Sequence, residues 1–319
     1  MLRRIADGVM EGLVVPSFSK AGYHVRRRLF DWEPVTANLT GRTILVTGAT
    51  SGIGRAAATD LASLGARILA VGRDPQRGAA AVDEIRRSSG NADVEFVALD
   101  VGELRAVQDF GRKLAATEPH LYALVHNAGA LLPVRRETGE GVEVTLAAHL
   151  LGPYLLTRTL HPLLAATPGA RIVFMSSGGM YAVGLDLDRL ALDAGGYDGR
   201  TAYARAKRAQ VVLAGLLAEE YAADGIAVHA MHPGWADTAG VATGMPGFRR
   251  VTRPILRTAQ QGADTLVWLV ASDKGNDSGG FWHDRALRSP TKLPGTGVDA
   301  ATRSALVPWI EARIARALA

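Results

Sequence analysis

From Thr43 to His283 the chain alternates short apolar runs with longer stretches patterned at helical spacing, and this rhythm constrains the fold more than any other feature. The runs Thr43–Thr47, Arg67–Val71, Val94–Leu99, Leu121–His126, Ala170–Met175, Ile226–Met231 and Gly280–His283 read as strands. Between them Ser51–Leu64, Pro75–Ser88, Glu103–Thr117, Gly141–Leu164, Thr201–Ala223 and Ala259–Ser272 read as helices. Strands that are apolar on both faces and joined through helices lie parallel, with helices covering each side. The expected architecture is one doubly wound α/β domain. Three irregular stretches, Ala130–Glu140, Gly178–Gly199 and Trp235–Thr258, follow strand C-terminal ends, where open parallel sheets bind ligands.

With 319 residues and a 48% hydrophobic composition, the chain can fill one large core, and no linker-like break or internal repeat divides it. We read residues 1–40 as an arm, 41–285 as the cofactor-binding catalytic domain, and 286–319 as an extension ending in a helix over Thr302–Ala317. Cysteine is absent, which excludes disulfides, thiolate metal sites and cysteine nucleophiles and suits a cytoplasmic protein. Met1–Phe30 shows neither the apolar core nor the small-residue cleavage site of a signal peptide. No 18-residue apolar run free of charge occurs. Met1–Phe30 carries six basic and two acidic residues, so the arm either packs on the domain or touches an anionic membrane surface at its periphery. The basic residues form no stripe with interleaved aromatics, and no nucleic-acid partner is expected.

Gly48, Thr50, Ser51, Gly52, Ile53 and Gly54 stand between the first strand and the first helix. Glycines there permit a tight turn and close approach of backbone to a pyrophosphate, while the helix start supplies amides to an anion. The second strand ends at Gly72-Arg73-Asp74. An acid at the strand tip would accept from the ribose hydroxyls of NAD. Gly72 instead leaves room, and Arg73 can pair with a 2′-phosphate, which favours NADP(H) over NAD(H). Arg55 can assist, and the competing assignment has Asp74 reaching the ribose. Asp100 and Val101 end the third strand, with Asp100 a candidate acceptor for the adenine amino group. Asn127, Ala128 and Gly129 end the fourth, where small residues admit the cofactor and Asn127 holds backbone across the sheet.

Tyr203 and Lys207 lie four residues apart on one helix face. An ammonium near a phenol favours phenolate, so Tyr203 can exchange a proton with an alcohol or carbonyl oxygen. Ser177 follows the fifth strand and can donate to the same oxygen; Ser176 is the alternative. Pro233 and Gly234 follow the sixth strand and shape a turn along the nicotinamide, whose carboxamide Thr238 can bind. Hydride transfer needs no metal, and His126, His232 and His283 lack a ligand spacing.

These motifs, in this order, resemble the short-chain dehydrogenases/reductases, whose patterns TGxxxGxG, NAG, a catalytic serine, YxxxK and PG stand here as Thr47–Gly54, Asn127–Gly129, Ser177, Tyr203/Lys207 and Pro233-Gly234. The resemblance covers roughly Thr43 to His283. It implies a Rossmann-type doubly wound sheet of seven parallel strands with helices on both faces, Tyr203 as general acid/base, Lys207 lowering its pKa and holding the ribose, and Ser177 steadying the substrate. It also implies a homodimer or homotetramer. A narrower likeness, to the member-twelve group of that family, extends to Phe18–Tyr23, Met231–Thr238, Met245–Phe248 and Gln261–Thr265. That group has poorly defined substrates.

One departure concerns the proton path. Where the family has an Asn-x-x-Gly pattern whose Asn holds a relay water, this chain has His149-Leu150-Leu151-Gly152. His149 either passes a proton, since imidazole has both donor and acceptor atoms, or is a structural replacement with a poorer relay. Loss of turnover, leaving a cofactor-binding regulatory or scaffold protein, is the rival function. Met180, Tyr181, Trp235, Met245, Pro246, Phe248 and Trp282 can line an apolar cavity for a bulky hydrophobic carbonyl or alcohol substrate. Arg249, Arg250, Arg253 and Arg257 can meet an anionic substituent or remain solvated. Assembly is expected through Gly141–Leu164 and Thr201–Ala223, where Val211, Val212, Leu216 and Leu217 add apolar surface.

Overall fold

The computed structural model describes residues 2–191 and 194–319. Three short helices, α1 (Leu2–Gly12), α2 (Val14–Phe18) and α3 (Lys20–Leu29), precede the sheet. Strand β1 (Thr43–Thr47) then leads into α4 (Gly52–Ser63), β2 (Arg67–Gly72) into α5 (Pro75–Ser89), and β3 (Val94–Ala98) into α6 (Leu104–Thr117). After β4 (Ala123–His126) come α7 (Val144–Leu146), a π-helical turn Ala147–Leu151 and α8 (Gly152–Ala165). Next are β5 (Arg171–Met175), α9 (Gly199–Glu220), β6 (Ala227–Met231), α10 (Ala239–Gly244), α11 (Pro246–Thr252) and α12 (Ala259–Ala271). The chain closes with β7 (Phe281–His283), β8 (Ala286–Leu287) and α13 (Ala300–Leu318).

The strands form one sheet in the order β3-β2-β1-β4-β5-β6-β7-β8. Strands β1 to β7 are parallel, as expected, but β8 adds an antiparallel eighth strand through Trp282–Leu287 and His283–Ala286 pairing. Asp284 and Arg285 make that two-residue turn with φ of 53° each, a left-handed conformation no local motif announced. Side chains alternate across the sheet: Leu45, Leu69, Leu124 and Ile172 join one core layer, and Ile44, Val46, Ile68 and Val173 join the other. Strand order reverses between β1 and β4, so the loops after these two strands diverge and leave a crevice.

Local signals set several boundaries. Asp74 caps α5, its carboxylate accepting from the backbone amides of Gln76 (2.9 Å) and Arg77 (3.1 Å), with Pro75 at the first turn. Asp198 caps α9 by accepting from Thr201 N at 2.8 Å. The expected helix over Gly141–Leu164 is interrupted: Glu143 caps the short α7, and the backbone then widens into the π turn carrying His149.

Both ends of the chain are tied to the domain. Arg26 of α3 is fully buried and pairs with Asp7 (2.7 Å), Glu11 (2.7 Å) and Asp284 (2.8 Å). Such a cation is tolerated in the interior only with this number of partners. At the other end, Leu306, Ile310 and Ile314 of α13 are buried against α6, α9 and the π turn. Tyr154 donates to Glu311 at 2.6 Å, and Arg303 pairs with Glu219 at 2.7 Å. Val211, Val212 and Leu216 are half-buried against the core cluster that includes those three α13 residues, and Leu217 is buried outright. The apolar surface behind the assembly expectation is therefore partly buried within the chain itself.

Candidate active site

A cavity of about 1180 Å³ opens along the C-terminal ends of the strands, from Arg73 at one end to Phe248 at the other. Its floor is made by close backbone packing that side chains would prevent. Gly48 has φ of +68°, and a Cβ there would sit 2.8 Å from the Cα of Ala128. A Cβ on Gly54 would approach the Gly48 carbonyl to 2.3 Å. Asn127 closes this packing: its amide donates to the carbonyls of Thr47 (2.9 Å) and Gly48 (3.3 Å). The Thr47 hydroxyl in turn accepts from the amides of Asn127 (2.9 Å) and Ala128 (3.0 Å). Thr50, Ser51, Gly52, Ile53, Ala128 and Gly129 complete this wall. Ser51 precedes α4 without a side-chain cap bond, so the first-turn amides are available to an anion.

At the far end of this wall Arg73 and Arg77 both line the cavity. Arg77 escaped sequence reasoning because it lies inside a helix pattern rather than at a strand tip. Arg73 stands 3.5 Å from Asp100, the arginine exposed and the carboxylate partly so, and so loose and solvent-screened a pair can open to a ligand. Asp74 has one carboxylate oxygen engaged as the α5 cap, which weakens the competing ribose assignment. Arg55 pairs with Glu84 at 2.5 Å and is not part of the wall. Asp100 accepts from Gly102 N at 2.9 Å, and Val101 lines the cavity beside it.

The reacting end collects Ser177, Tyr203, Lys207 and His149 around one point of the cavity. Ser177 lines the cavity beside the Tyr203 phenol and accepts from Gly179 N at 3.2 Å. Ser176, though adjacent, is buried and donates to the Lys207 carbonyl at 2.9 Å, so of the two serines Ser177 presents its hydroxyl to Tyr203. Burial raises the Tyr203 phenol above the ordinary tyrosine value, and the neighbouring Ser177 hydroxyl offsets part of that rise. Lys207 is buried, donates to the Met175 carbonyl at 2.6 Å, and has its pKa lowered to about 7 by desolvation. Its Nζ lies 5.6 Å from the Tyr203 ring centre. In this state burial outweighs any phenolate-favouring effect of the lysine, and Tyr203 is a protonated donor.

His149 meets the Tyr203 ring edge-on, with centroids 5.2 Å apart. Its Nε2 lies 2.9 Å from the Ala130 carbonyl, and Nδ1 is buried without a protein hydrogen-bond partner. Burial first, and the Lys207 charge second, hold the imidazole well below its usual pKa and hence neutral. The same Nε2 lies 3.2 Å from the Ala130 amide, so the ring either donates Nε2–H to the carbonyl and leaves Nδ1 an acceptor, or accepts from the amide and carries its proton on Nδ1. Gly129 makes room for this ring: a Cβ there would lie 2.0 Å from His149 Cε1.

Residues 42–245 match the short chain dehydrogenase family. The chain belongs to that family. This short-chain dehydrogenase is 37% identical over 281 residues to human "Dehydrogenase/reductase SDR family member 12", covering 87% of each chain. It is 39% identical over 258 residues to a Streptomyces sp. (strain C5) protein provisionally named daunorubicin C-13 ketoreductase DnrU, covering 80% of this chain and 87% of that one. Among solved structures, a Beutenbergia cavernae protein provisionally named NAD(P)-dependent gluconate 5-dehydrogenase, with NADP bound, superposes with a TM-score of 0.62 at 31% identity. That match covers 76% of this chain and 95% of the other. The protein is thus an oxidoreductase built for a nicotinamide cofactor and a small-molecule substrate.

The substrate end of this short-chain dehydrogenase differs from the sequence expectation. Trp235, Met245 and Phe248 do line the cavity, joined by Leu131, Val144 and Val241. Met180, Tyr181, Pro246 and Trp282 do not. Met180 is buried beside Arg208, the Tyr181 hydroxyl donates to the Ser289 carbonyl, and Trp282 packs on Trp268 and His229. Arg257 is also no substrate group: it is buried, pairs with Asp284 at 2.6 Å and reaches the Pro233 carbonyl at 3.3 Å. Gly234, with φ of +72°, lies against Arg257 and the Phe18 carbonyl, where a Cβ would clash at 2.5 and 2.7 Å. Arg249 pairs with Asp237 at 2.6 Å, while Arg250 and Arg253 remain on the surface. Thr238 caps α10 and lies beside Gly52.

The N-terminal arm also reaches this end. Trp235 N donates to the Phe18 carbonyl at 2.8 Å, and a Cβ on Gly178 would be 2.5 Å from the Phe18 ring. Phe18 therefore packs under both the Ser177 loop and the Pro233-Gly234 turn. The narrower family likeness includes Phe18, but nothing local placed it at the site, because its partners are some 160 and 215 residues away in the chain.

Proposed function

We propose that the enzyme is an NADP(H)-dependent oxidoreductase interconverting a ketone or aldehyde with an alcohol on a hydrophobic substrate. The observation that carries this reading is the placement of Ser177 beside Tyr203 in a cavity whose far end is apolar, with the phenol held protonated by burial. The glycine-floored wall fits a dinucleotide, since a Cβ at Gly48 or Gly54 would break its packing. The nicotinamide would supply the hydride. Ser177 would donate to the substrate oxygen and fix its position, and Tyr203 would pass its proton to that oxygen as negative charge develops. Lys207, under the same helix face, would hold the ribose and return a proton toward Tyr203. Gly48, Thr50–Gly54, Val101, Asn127–Gly129, Pro233, Gly234 and Thr238 would shape the cofactor wall, with Asp100 near the adenine. A panel of hydrophobic ketones and aldehydes with NADPH, followed by loss of reduced-cofactor absorbance, tests the reading; no consumption with any of them would argue against it.

Cofactor choice rests on Arg73, with Arg77 as a second cation beside it. NADPH should bind more tightly than NADH by one to three powers of ten, at about 1.4 kcal/mol per power. Arg73→Asp should narrow or reverse the difference by replacing a phosphate partner with a ribose acceptor. Calorimetric titration of both cofactors checks this, and equal affinity in the wild type would refute it.

For His149 we propose an accepting role at Nδ1 toward a relay water. His149→Asn should keep turnover within about threefold, whereas His149→Ala should lower it by roughly tenfold or more, within the range for proton-transfer groups. Because burial and Lys207 keep the imidazole neutral, its own titration should leave no inflection between about pH 6 and 8. Turnover against pH for the three proteins decides; an alanine variant matching wild type at every pH would remove His149 from the relay.

A further inference from the structure

Helix α1 is amphipathic in the reverse sense. Asp7 and Glu11, four residues apart, face inward onto Arg26, Arg288 and Lys292, with Asp7–Arg26 and Asp7–Arg288 contacts of 2.7 Å each. Ile5 and Val9 lie on the opposite side at the same spacing and face solvent. Leu13, Val14 and Val15 continue the apolar surface into α2, and these five side chains are 48–63% exposed. Of the ten large apolar residues exposed among the described residues, six lie between Ile5 and Val25, so the exposure is concentrated in the arm rather than scattered.

The outward charge of the arm's helices is basic. The two acids of Met1–Phe30 are spent on the inward ion pairs, while Lys20, Arg27 and Arg28 of α3 are exposed; Asp31 and Glu33, also exposed, follow the end of α3. Arg3 is exposed as well and pairs with Asp31. An apolar surface bordered by unneutralised cations complements an anionic lipid surface. No helix among the described residues is long and apolar enough to cross a membrane, and α1, at 11 residues, spans about half of a bilayer core. We propose that the arm is an in-plane membrane-docking surface: the apolar face of α1 and the start of α2 enters the interface of an anionic bilayer, and Lys20, Arg27 and Arg28 meet its headgroups. The far end of α2 is Phe18, which touches Trp235 of the substrate cavity, so docking would bring bilayer-dissolved compounds close to the site.

The full chain should float with vesicles of phosphatidylcholine and phosphatidylglycerol, bind pure phosphatidylcholine vesicles far less, and release as salt is raised. A triple variant, Ile5→Ser, Val9→Ser and Leu13→Ser, alters only outward side chains. It should lose roughly tenfold or more of its vesicle partition while its circular dichroism and NADPH titration match wild type. Lys20→Glu with Arg28→Glu should weaken binding to anionic vesicles and leave the weak neutral-vesicle binding unchanged. Wild-type protein that stays unbound with both vesicle types would overturn the proposal. So would a concentration-dependent dimer, seen by light scattering, that the triple variant dissociates without any vesicle binding by the wild type, since the face would then be covered by a second copy.

Discussion

Tyr203→Phe should lower carbonyl reduction by roughly 10²–10⁴-fold while leaving NADPH affinity within about twofold. The substitution removes one oxygen and keeps the ring, whose edge contact with His149 at 5.2 Å and position on α9 should survive. Ser177 retains its bond from Gly179 N but loses the phenol, so the substrate oxygen would keep a positioning group and lose its proton source. A lowered rate with unchanged cofactor binding separates this role from a packing defect. Steady-state turnover together with fluorescence titration of NADPH checks both halves. Turnover within about threefold of wild type would take Tyr203 out of the proton-transfer step.

Lys207→Met should abolish turnover and make the cofactor-free protein more stable. Burial lowers the lysine pKa from 10.5 to about 7, which means that the fold opposes the ammonium. Below pH 7 the lysine is charged in both folded and unfolded chains, and the full cost of burying the charge is present. Between about 7 and 10.5 the unfolded chain binds more protons than the folded one, so wild-type stability gains as pH rises. The implied cost at pH 6 is on the order of several kcal/mol, reduced in the variant comparison by about 1 kcal/mol for the lost bond to the Met175 carbonyl. Methionine, of similar length and without charge, should therefore stabilise the cofactor-free fold by roughly 1–3 kcal/mol at pH 6. The gain should fade toward pH 10. Urea unfolding at pH 6, 8 and 10 tests it; a variant less stable than wild type at pH 6 would show that the buried ammonium is not a burden on the fold.

The sheet and its crevice were legible because their causes are local. Short continuous apolar runs, the glycines of Thr47–Gly54 and the Asp74-Pro75 helix start each act within a few residues. The eighth strand was not, since it depends on Asp284 and Arg285 adopting positive φ in a turn held by Arg26 and Arg257 from elsewhere in the chain. Arg257 itself read as a surface cation because sequence carries no sign of a buried partner. Met180, Tyr181 and Trp282 read as cavity lining because aromatic and thioether side chains serve cores and ligand cavities alike. The π turn at His149 was invisible for another reason: one extra residue in a helical turn leaves the apolar spacing almost intact. The cover of α13 over α9 likewise joins segments whose apolar faces look equally suited to a second subunit.

The proposed reaction transfers a hydride from NADPH to a carbonyl carbon, with the proton arriving through Tyr203. Reduction of a hydrophobic ketone found in the carbonyl panel, using NADPH deuterated at the transferring C4 position, tests it most directly by mass spectrometry of the product. The expected result is an alcohol carrying one deuterium at the carbinol carbon, formed by wild type and nearly absent with Tyr203→Phe. Product without deuterium would rule out hydride transfer from NADPH, and labelled product formed equally well by the phenylalanine variant would rule out Tyr203 as its proton source.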